Sequence, residues 1–260
     1  MTISLASALK AVKEDEKWVK KLLIGSFIYV IMMIASGMIG METSNTVKAV
    51  GGALYLIFYF VIYGFMASTG NKMINSDSNQ MAEWNEKNIL ITGLKFFFSY
   101  LVYCIVFILL FTILSTLLLI AITLVLGLIY MLISALLHVD IYNNLLLPII
   151  FGVITLTIYL YFVQYLNTAI TCYYKNLKFR DIMAFKKHFR IIKENQHAAW
   201  TLLGKEILFT LLIILVCFLL TITIIGILAL PFIFMAISIA LVSLFAQYGK
   251  HIEIGKYLEE

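Results

Sequence analysis

Charged residues are scarce in this chain, and their scarcity excludes a soluble globular protein. Only 13% of the 260 residues are charged and 63% are hydrophobic, whereas soluble domains average about 25% charged and about 45–50% apolar residues. Several apolar runs exceed the ~20 residues that a helix needs to cross a bilayer. The polar stretches between them are too short to build a core of their own. The sequence therefore predicts a single membrane domain over residues 1–260.

Residues that carry catalysis or hold metals are also few. The three cysteines, Cys104, Cys172 and Cys217, lie within apolar runs without paired spacing, which argues against a disulfide framework or a zinc site. The four histidines are scattered, and the chain has neither a phosphate-binding glycine loop nor a nucleophile elbow. The sequence therefore predicts a protein that is not an enzyme, with no metal site and no cofactor.

The apolar runs predict an all-α integral membrane protein with six transmembrane helices. The spans are expected at residues 22–41, 47–68, 91–114, 145–172, 200–224 and 228–248, with the last turn near residues 226–231. A further apolar stretch, residues 116–138, is interpreted as a re-entrant or membrane-lying helix, since a buried helix satisfies its own backbone groups. Amphipathic interfacial helices are expected at residues 1–21 and 178–194.

The distribution of basic residues favours six spans over the alternative of seven. Residues 1–21 hold five lysines and residues 174–205 hold eight basic residues, whereas residues 42–48 hold one and residues 138–146 hold none. Basic segments of membrane proteins stay on the cytoplasmic side. One crossing by the long third apolar run then places all basic segments and both termini in the cytoplasm. Two crossings would export the most basic segment and put the termini on opposite sides.

The segment 178–194 combines an apolar stripe with flanking positive charge. Four apolar residues recur at helical spacing: Ile182, Phe185, Phe189 and Ile192. Asp181 is expected to cap the helix at its N-terminus. Five basic residues are predicted to contact lipid headgroups: Lys178, Lys186, Lys187, Arg190 and Lys193. The predicted partners are membrane lipids with anionic headgroups rather than nucleic acid. A solvated helix that only enforces topology is the alternative.

A polar stripe lies at the end of the fifth span, where a lipid-facing helix would carry hydrocarbon. Its members recur on one helix face: Gln164, Asn167, Thr168 and Thr171. Polar side chains in a bilayer turn toward protein or water, because an unpaired group in hydrocarbon costs several kcal/mol. Glu206, near the start of the next span, completes this candidate polar membrane site. The stripe either forms hydrogen bonds between helices or lines a hydrated binding site.

Two stretches of the chain resemble a known family. The first is ALKAVKEDEKWVKKLLIG, residues 8–25, and the second is YGFMASTGNKMINSDSNQMAEWNEKNILITGLKFFFSYLVY, which begins at Tyr63. They are similar to the multi-pass bacterial and archaeal membrane proteins known as domain of unknown function 4013. The chain departs from that family at Ala82, where the family has proline. The resemblance covers roughly residues 8–105, implies a protein of a prokaryotic cell membrane, and supplies no catalytic residues.

These features favour a non-enzymatic envelope protein that organises or protects the membrane or tunes a partner. Immunity to a membrane-active peptide is a specific form of this hypothesis, in which a peptide or protein is the partner. The alternative is a small permease or the membrane subunit of a transporter, with the polar stripe along its path. The sequence shows no broken helix pair and no clear internal repeat of the kind transporters often carry.

Overall fold

A computed structural model describes residues 3–40, 44–76, 79–85, 88–137 and 146–259 as helices joined by short links. Within this part of the chain the structure has ten helices and no strand: α1 (Leu5–Glu14), α2 (Trp18–Gly40), α3 (Asn45–Asn75), α4 (Ile89–Leu137), α5 (Leu146–Asn176), α6 (Phe179–Ile182), α7 (Phe185–Glu194), α8 (Gln196–Thr221), α9 (Ile224–His251) and α10 (Gly255–Glu259).

Six of these helices contain segments that are long and apolar enough to cross a membrane. The segments are Trp18–Gly40, Asn45–Asn75, Ile89–Val125, Gly152–Asn176, Gln196–Thr221 and Gly226–His251. Many of their large apolar side chains are exposed, for example Phe27 and Phe218 at 66% and 65%. Such surfaces suit a hydrocarbon solvent and would be unusual on a water-soluble monomer. An all-helical membrane protein with six candidate spans is therefore confirmed.

Helix α4 is one continuous helix of 49 residues. At 1.5 Å per residue it is about 73 Å long, more than twice the ~30 Å hydrocarbon core of a bilayer. The separate re-entrant helix predicted at residues 116–138 is not confirmed, because α4 continues without a break past the predicted span 91–114. Residue 138 and the predicted loop up to residue 145 lie outside the described residues.

The chain divides into two compact units. The larger unit comprises Met1–Tyr100 and Tyr165–Glu260, and the smaller unit comprises Leu101–Gln164. In the smaller unit, Phe107 of α4 packs its ring 4.2 Å from that of Phe162 on α5, and 5.9 Å from that of Tyr103. Aromatic contacts of this kind join the two helices of the smaller unit.

Helix α9 lies at the centre of the larger unit, where it packs against α1, α2, α3 and α8. Its buried residues include Met235, Ile239 and Leu244. Gly25 of α2 makes room for Met235, since a Cβ atom on that glycine would lie 2.4 Å from the methionine sulfur. Membrane helices gain most of their association energy from such close packing, because lipid tails are as apolar as the side chains.

A pair of glycines brings α3 and α4 into backbone contact in the larger unit. A Cβ atom on Gly64 would lie 1.9 Å from the carbonyl oxygen of Ile89, and one on Gly93 would lie 1.8 Å from that of Phe60. By contrast, a Cβ atom on Gly37 of α2 would meet no atom of the described chain within 4 Å. Close helix approach therefore depends on Gly64 and Gly93.

The turn between α8 and α9 lies earlier than predicted. Helix α8 ends at Thr221 and α9 begins at Ile224, so Pro231 lies inside α9 rather than at the turn. The physical reason is a cap: Thr223 accepts a hydrogen bond from the Gly226 backbone N–H at 3.0 Å. A threonine cap satisfies the free N–H groups of the first turn, and it sets the helix start in place of the glycine and proline.

The N-terminal interfacial helix is shorter than the predicted residues 1–21. Helix α1 ends at Glu14, and Trp18 already begins the first membrane span, α2. One face of α1 buries Ala8, Ala11 and Val12. The backbone N–H of Ser4 donates a 2.8 Å hydrogen bond to Oε1 of Gln247, near the end of α9.

Candidate functional site

Three members of the polar stripe of α5 are buried in the larger unit, where one of them contacts Glu206 of α8. Asn167, Thr168 and Thr171 are 3%, 1% and 0% exposed. Asn167 donates its Nδ2–H to Oε2 of Glu206, and the hydroxyls of Thr168 and Tyr248 are 3.3 Å apart. Three helices, α5, α8 and α9, are therefore joined by polar side chains at this position. The two sequence-predicted residues Asn167 and Glu206 are brought together as a pair.

The other two members of the stripe have different roles. Thr171 donates its hydroxyl to the Asn167 backbone carbonyl at 2.7 Å, so its polar group is satisfied within α5. Its methyl group packs against Gly249 of α9, where a Cβ atom would lie only 2.9 Å away. Gln164 is 2% exposed and is the last residue of the smaller unit.

The pattern of polar residues in the sequence does not indicate Tyr248. Tyr248 is fully buried. The signal in the sequence that could have indicated this residue is its position in the short polar segment at the end of the last apolar run.

The polar site consists of side chains that bond directly to one another, as Asn167 does to Glu206. The described part of the chain contains no group of three or more His, Cys, Asp and Glu side chains placed to hold a metal ion. One carboxylate and one amide can hold a proton or a small cation between them, and they can equally join two helices. Hydrogen bonds that join two helices contribute about 0.6–2 kcal/mol in membrane proteins.

The predicted basic helix at residues 178–194 is two helices, α6 and α7, separated by a short break. Asp181, the expected cap, lies inside α6, is 4% exposed, and accepts a 2.8 Å hydrogen bond from Nδ2 of Asn176. Its backbone carbonyl oxygen lies 2.9 Å from Nε2 of His188, which is fully buried in α7. The contact with His188 spans the break between α6 and α7, and the bond from Asn176 joins α6 to the end of α5.

His188 is a neutral core residue near neutral pH. Burial lowers the pKa of His188 to about 4, although the bond to Asp181 opposes that shift. Because a carbonyl oxygen can only accept, the ring hydrogen lies on Nε2 in this geometry.

Helix α7 has one face buried against protein and another exposed. His188, Ile191 and Ile192 form the buried face. Phe189, a member of the predicted apolar stripe, is 57% exposed, whereas Ile182 and Ile192 of the same stripe are buried against protein. The buried set follows the i, i+3, i+4 spacing of one helix face, and Phe189 lies about 100° away from His188 around the axis. The exposed face of α7 therefore carries a large aromatic ring among its cations.

The predicted headgroup-contact residues differ in their surroundings. Four of them are exposed and one is half-buried: Lys178, Lys186, Arg190 and Lys193, and then Lys187. Arg190 also interacts within the protein, since its Nε donates to Oε1 of Glu194 at 2.9 Å and its guanidinium lies over the Tyr257 ring. Hydrogen bonds from Arg190 and Tyr257 lower the pKa of Glu194. Helix α10 thus holds the end of α7 in place.

An ion-pair cluster, formed by Asp15, Lys21 and Glu83, was not predicted from the sequence. Lys21 is 4% exposed, and its ammonium group lies 2.8 Å from Oδ2 of Asp15 and 3.0 Å from Oε1 of Glu83. It also donates to the Met81 carbonyl at 3.1 Å. Burial opposes ionisation of Asp15, but hydrogen bonds from Lys21 and from the backbone N–H groups of Lys17 and Met81 lower the pKa of Asp15 overall.

The ion-pair cluster joins the two stretches that carry the family resemblance. Trp84 stacks on Phe65 with ring centroids 3.9 Å apart, and its indole N–H donates to the Lys21 carbonyl at 3.0 Å. Ala82 stands where the resemblance predicts a proline, and its backbone N–H donates to Oγ1 of Thr69 at 3.1 Å. A proline has no N–H to donate, so alanine suits this position in the present chain.

Fold and sites together define a multi-pass helical membrane protein. No family model matches the chain, and no curated protein and no solved structure matches it either. The resemblance to the family of unknown function therefore stays a prediction.

Proposed function

We propose that this chain is a non-enzymatic, multi-pass protein of a prokaryotic cell membrane that organises or protects the bilayer through its basic surface. The basic surface consists of the exposed side chains of Lys186, Phe189 and Lys193 on α7, together with the half-buried Lys187. The observation that carries the proposal is the two-faced packing of α7, which buries His188 and Ile191 against protein and leaves the cations and the phenylalanine exposed.

Elementary energetics support contact between this surface and lipid. A basic residue near an anionic leaflet contributes about 1 kcal/mol, and an aromatic ring at the acyl boundary adds apolar burial. The buried face of α7 already holds the helix in place, so little conformational entropy is lost when lipid binds. The surface therefore suits anionic lipid better than a flexible loop of the same composition would.

Packing within the larger unit supports the proposal that both termini lie on one side of the membrane. The backbone of Ser4 bonds to Gln247 near the end of α9. Asn195, just after α7, donates to the Tyr257 hydroxyl of α10 at 3.0 Å. The basic residues at these ends make the cytoplasmic side the favoured one.

Replacing Lys186, Lys187 and Lys193 together by glutamine is expected to reduce the anionic lipid held around the protein. The loss should be about fivefold in binding for each exposed charge, the equivalent of about 1 kcal/mol. The measurement is mass spectrometry of lipids that co-purify with the protein in polymer-bounded native nanodiscs. Lys48→Gln, near the start of α3, is the control. Equal lipid composition in the triple variant and the control would contradict the proposal.

Immunity to a membrane-active peptide stays a specific form of this proposal. A strain lacking the gene, challenged with a panel of such peptides, should become more sensitive and recover with the wild-type chain. If the triple glutamine variant also restores resistance, protection does not depend on the basic surface. If the deletion strain is no more sensitive than the wild type, the protein has no protective role against these peptides.

A small permease or transporter subunit is the second candidate, favoured by the contact between Asn167 and Glu206. Glu206→Gln keeps a hydrogen-bonding partner for Asn167, whereas Asn167→Leu removes one. If the pair only joins helices, Asn167→Leu should lower the stability in detergent by about 0.6–2 kcal/mol while Glu206→Gln changes little. If the pair carries ions, Glu206→Gln should fold normally yet abolish proton flux into liposomes, measured with an internal pH dye.

A further inference from the structure

A groove on the larger unit lies between the first turns of α4 and the link from α5 to α6. Its volume is about 450 Å³, and seven residues line it: Leu94, Lys95, Phe98, Ser99, Leu177, Lys178 and Phe179. Close to the groove, α4 and the end of α5 contact each other directly: the Tyr173 ring of α5 lies 5.2 Å from that of Phe96 on α4. The groove therefore lies between two helix ends that pack directly against each other.

The lining combines two ammonium groups with apolar surface. Lys95 and Lys178 are both exposed, and none of the described residues that line the groove is acidic. The hydroxyl of Ser99 is used within α4, where it donates to the Lys95 carbonyl at 2.6 Å. Phe98 and Phe179 are each 51% exposed. The groove therefore complements a ligand that has an anionic group beside hydrocarbon, which a free inorganic anion lacks.

The place of Lys95 near the start of α4 matches the headgroup level of a membrane. Lys95 is six residues after the start of α4 at Ile89, about 9 Å along the helix axis. A lysine at that depth extends its ammonium group toward the lipid phosphates. The apolar side chains of Ile91, Leu94 and Phe98 are 50%, 39% and 51% exposed, and their spacing places them on one face of α4 beside Lys95.

The backbone of the second wall holds Lys178 and Phe179 beside α4. Leu177 has a φ of 54°, in the left-handed region that residues other than glycine rarely adopt. Its N–H donates to the Tyr173 carbonyl at 2.6 Å and so ends α5. This sharp ending directs the chain across the groove instead of continuing the helix. The unusual conformation of Leu177 thus coincides with a wall of the groove.

We propose that this groove is a binding site for one anionic glycerophospholipid, with its phosphate between Lys95 and Lys178 and its acyl chain along Phe98. The inference rests on the proposed contact with anionic lipid, and it goes further by assigning a discrete lipid-binding site outside α7. A volume of about 450 Å³ suits the glycerol phosphate and the first carbons of a chain, within the range of ordinary ligand sites. In this proposal the remainder of the acyl chain lies along the exposed face of α4.

The test is native mass spectrometry of the full-length, delipidated protein in neutral detergent, titrated with phosphatidylglycerol. We expect one phosphatidylglycerol bound in preference to phosphatidylcholine, and about fivefold weaker binding for Lys95→Gln and for Lys178→Gln. Phe98→Ala should weaken binding through lost contact with the acyl chain, while Lys48→Gln near the start of α3 should leave it unchanged. Both lysines are exposed, so the variants should fold like the wild type.

Three results would overturn the lipid-binding site. They are equal binding of phosphatidylcholine and phosphatidylglycerol, full binding by the double variant of Lys95 and Lys178, and displacement of the lipid by millimolar inorganic phosphate. Retention of this lipid by the triple glutamine variant of α7 would support the site even where lipid enrichment around the basic surface fails. Loss of the bound lipid in the groove variants alone would support the groove as a separate site, and it would not count against the proposal for the basic surface.

Discussion

Replacing Lys21 by methionine is expected to destabilise the protein by about 3–5 kcal/mol, the usual cost of leaving a buried charge without its partner. Asp15 is 4% exposed and receives its strongest cationic contact from Lys21 at 2.8 Å. The variant would leave Asp15 buried with two backbone N–H donors, those of Lys17 and Met81. The measurement is the thermal unfolding midpoint in detergent, followed by the fraction of monodisperse protein after heating.

Lys10→Met is the matched control for this prediction. Lys10 pairs with Glu14 at 3.8 Å, and its side chain is 77% exposed, so the expected change is between about 0 and 1 kcal/mol. Asp15→Leu combined with Lys21→Met should recover part of the lost stability, because a buried ion pair can be replaced by apolar residues at small cost. Similar midpoints for Lys21→Met and Lys10→Met would show that the ion-pair cluster is dispensable for folding.

The same cluster predicts a pH dependence. The pKa of Asp15 is lower in the folded protein than its ordinary value, so its contribution to stability is fully present above the unfolded pKa of about 3.9. That contribution is lost as the pH falls through the folded pKa. The stability difference between the wild type and Lys21→Met should therefore be constant from about pH 6 to 8 and shrink below about pH 4.

The second large effect is expected at the crossing of α3 and α4. In Gly93→Ala the new methyl group would lie 1.8 Å from the Phe60 carbonyl oxygen and 2.8 Å from the Gly64 nitrogen. Both are backbone atoms, so the helices must separate, and the cost should reach or exceed the ~3 kcal/mol at the upper end of overpacking. The measurement is the midpoint of unfolding by sodium dodecyl sulfate, monitored by circular dichroism.

Gly37→Ala is the control for the crossing, since its new methyl group would meet no described atom within 4 Å. Alanine is a better helix former than glycine by about 1 kcal/mol, so the control should be neutral or slightly stabilising. A Gly93→Ala variant that unfolds at the same detergent concentration as the control would rule out a close crossing of α3 and α4.

Local patterns predicted some elements of this fold well and others poorly. The six apolar segments were found because a bilayer requires about 20 apolar residues in sequence, and this requirement does not depend on neighbouring helices. The start of α9 was misplaced because a hydrogen bond from Gly226 to Thr223 outweighed the glycine and proline signals. The break before α7 was missed because the buried contact that spans it, between the Asp181 carbonyl and His188, is not visible in the spacing of apolar residues.

The candidate sites show the same division. Helical spacing correctly placed Asn167, Thr168 and Thr171 on one buried face, because polar groups in hydrocarbon must turn inward. The contact of Asn167 with Glu206, 39 residues further on, could not follow from spacing. The predicted apolar stripe divides in the structure, with Ile182 and Ile192 buried and Phe189 exposed, because helical spacing does not state which residues of a stripe meet protein.

The sequence by itself determined the class of this protein, a helical membrane protein with basic segments at its helix ends, because composition and run length act locally through the solvent. Only the tertiary structure decided which lysines are buried and which are exposed. Lys21 is 4% exposed because Met81, 60 residues away, and Glu83 supply its acceptors. Lys95 has no charged residue within four positions in sequence, yet it is exposed beside a groove. The state of a buried ammonium group depends on partners distant in the chain, which no local pattern contains.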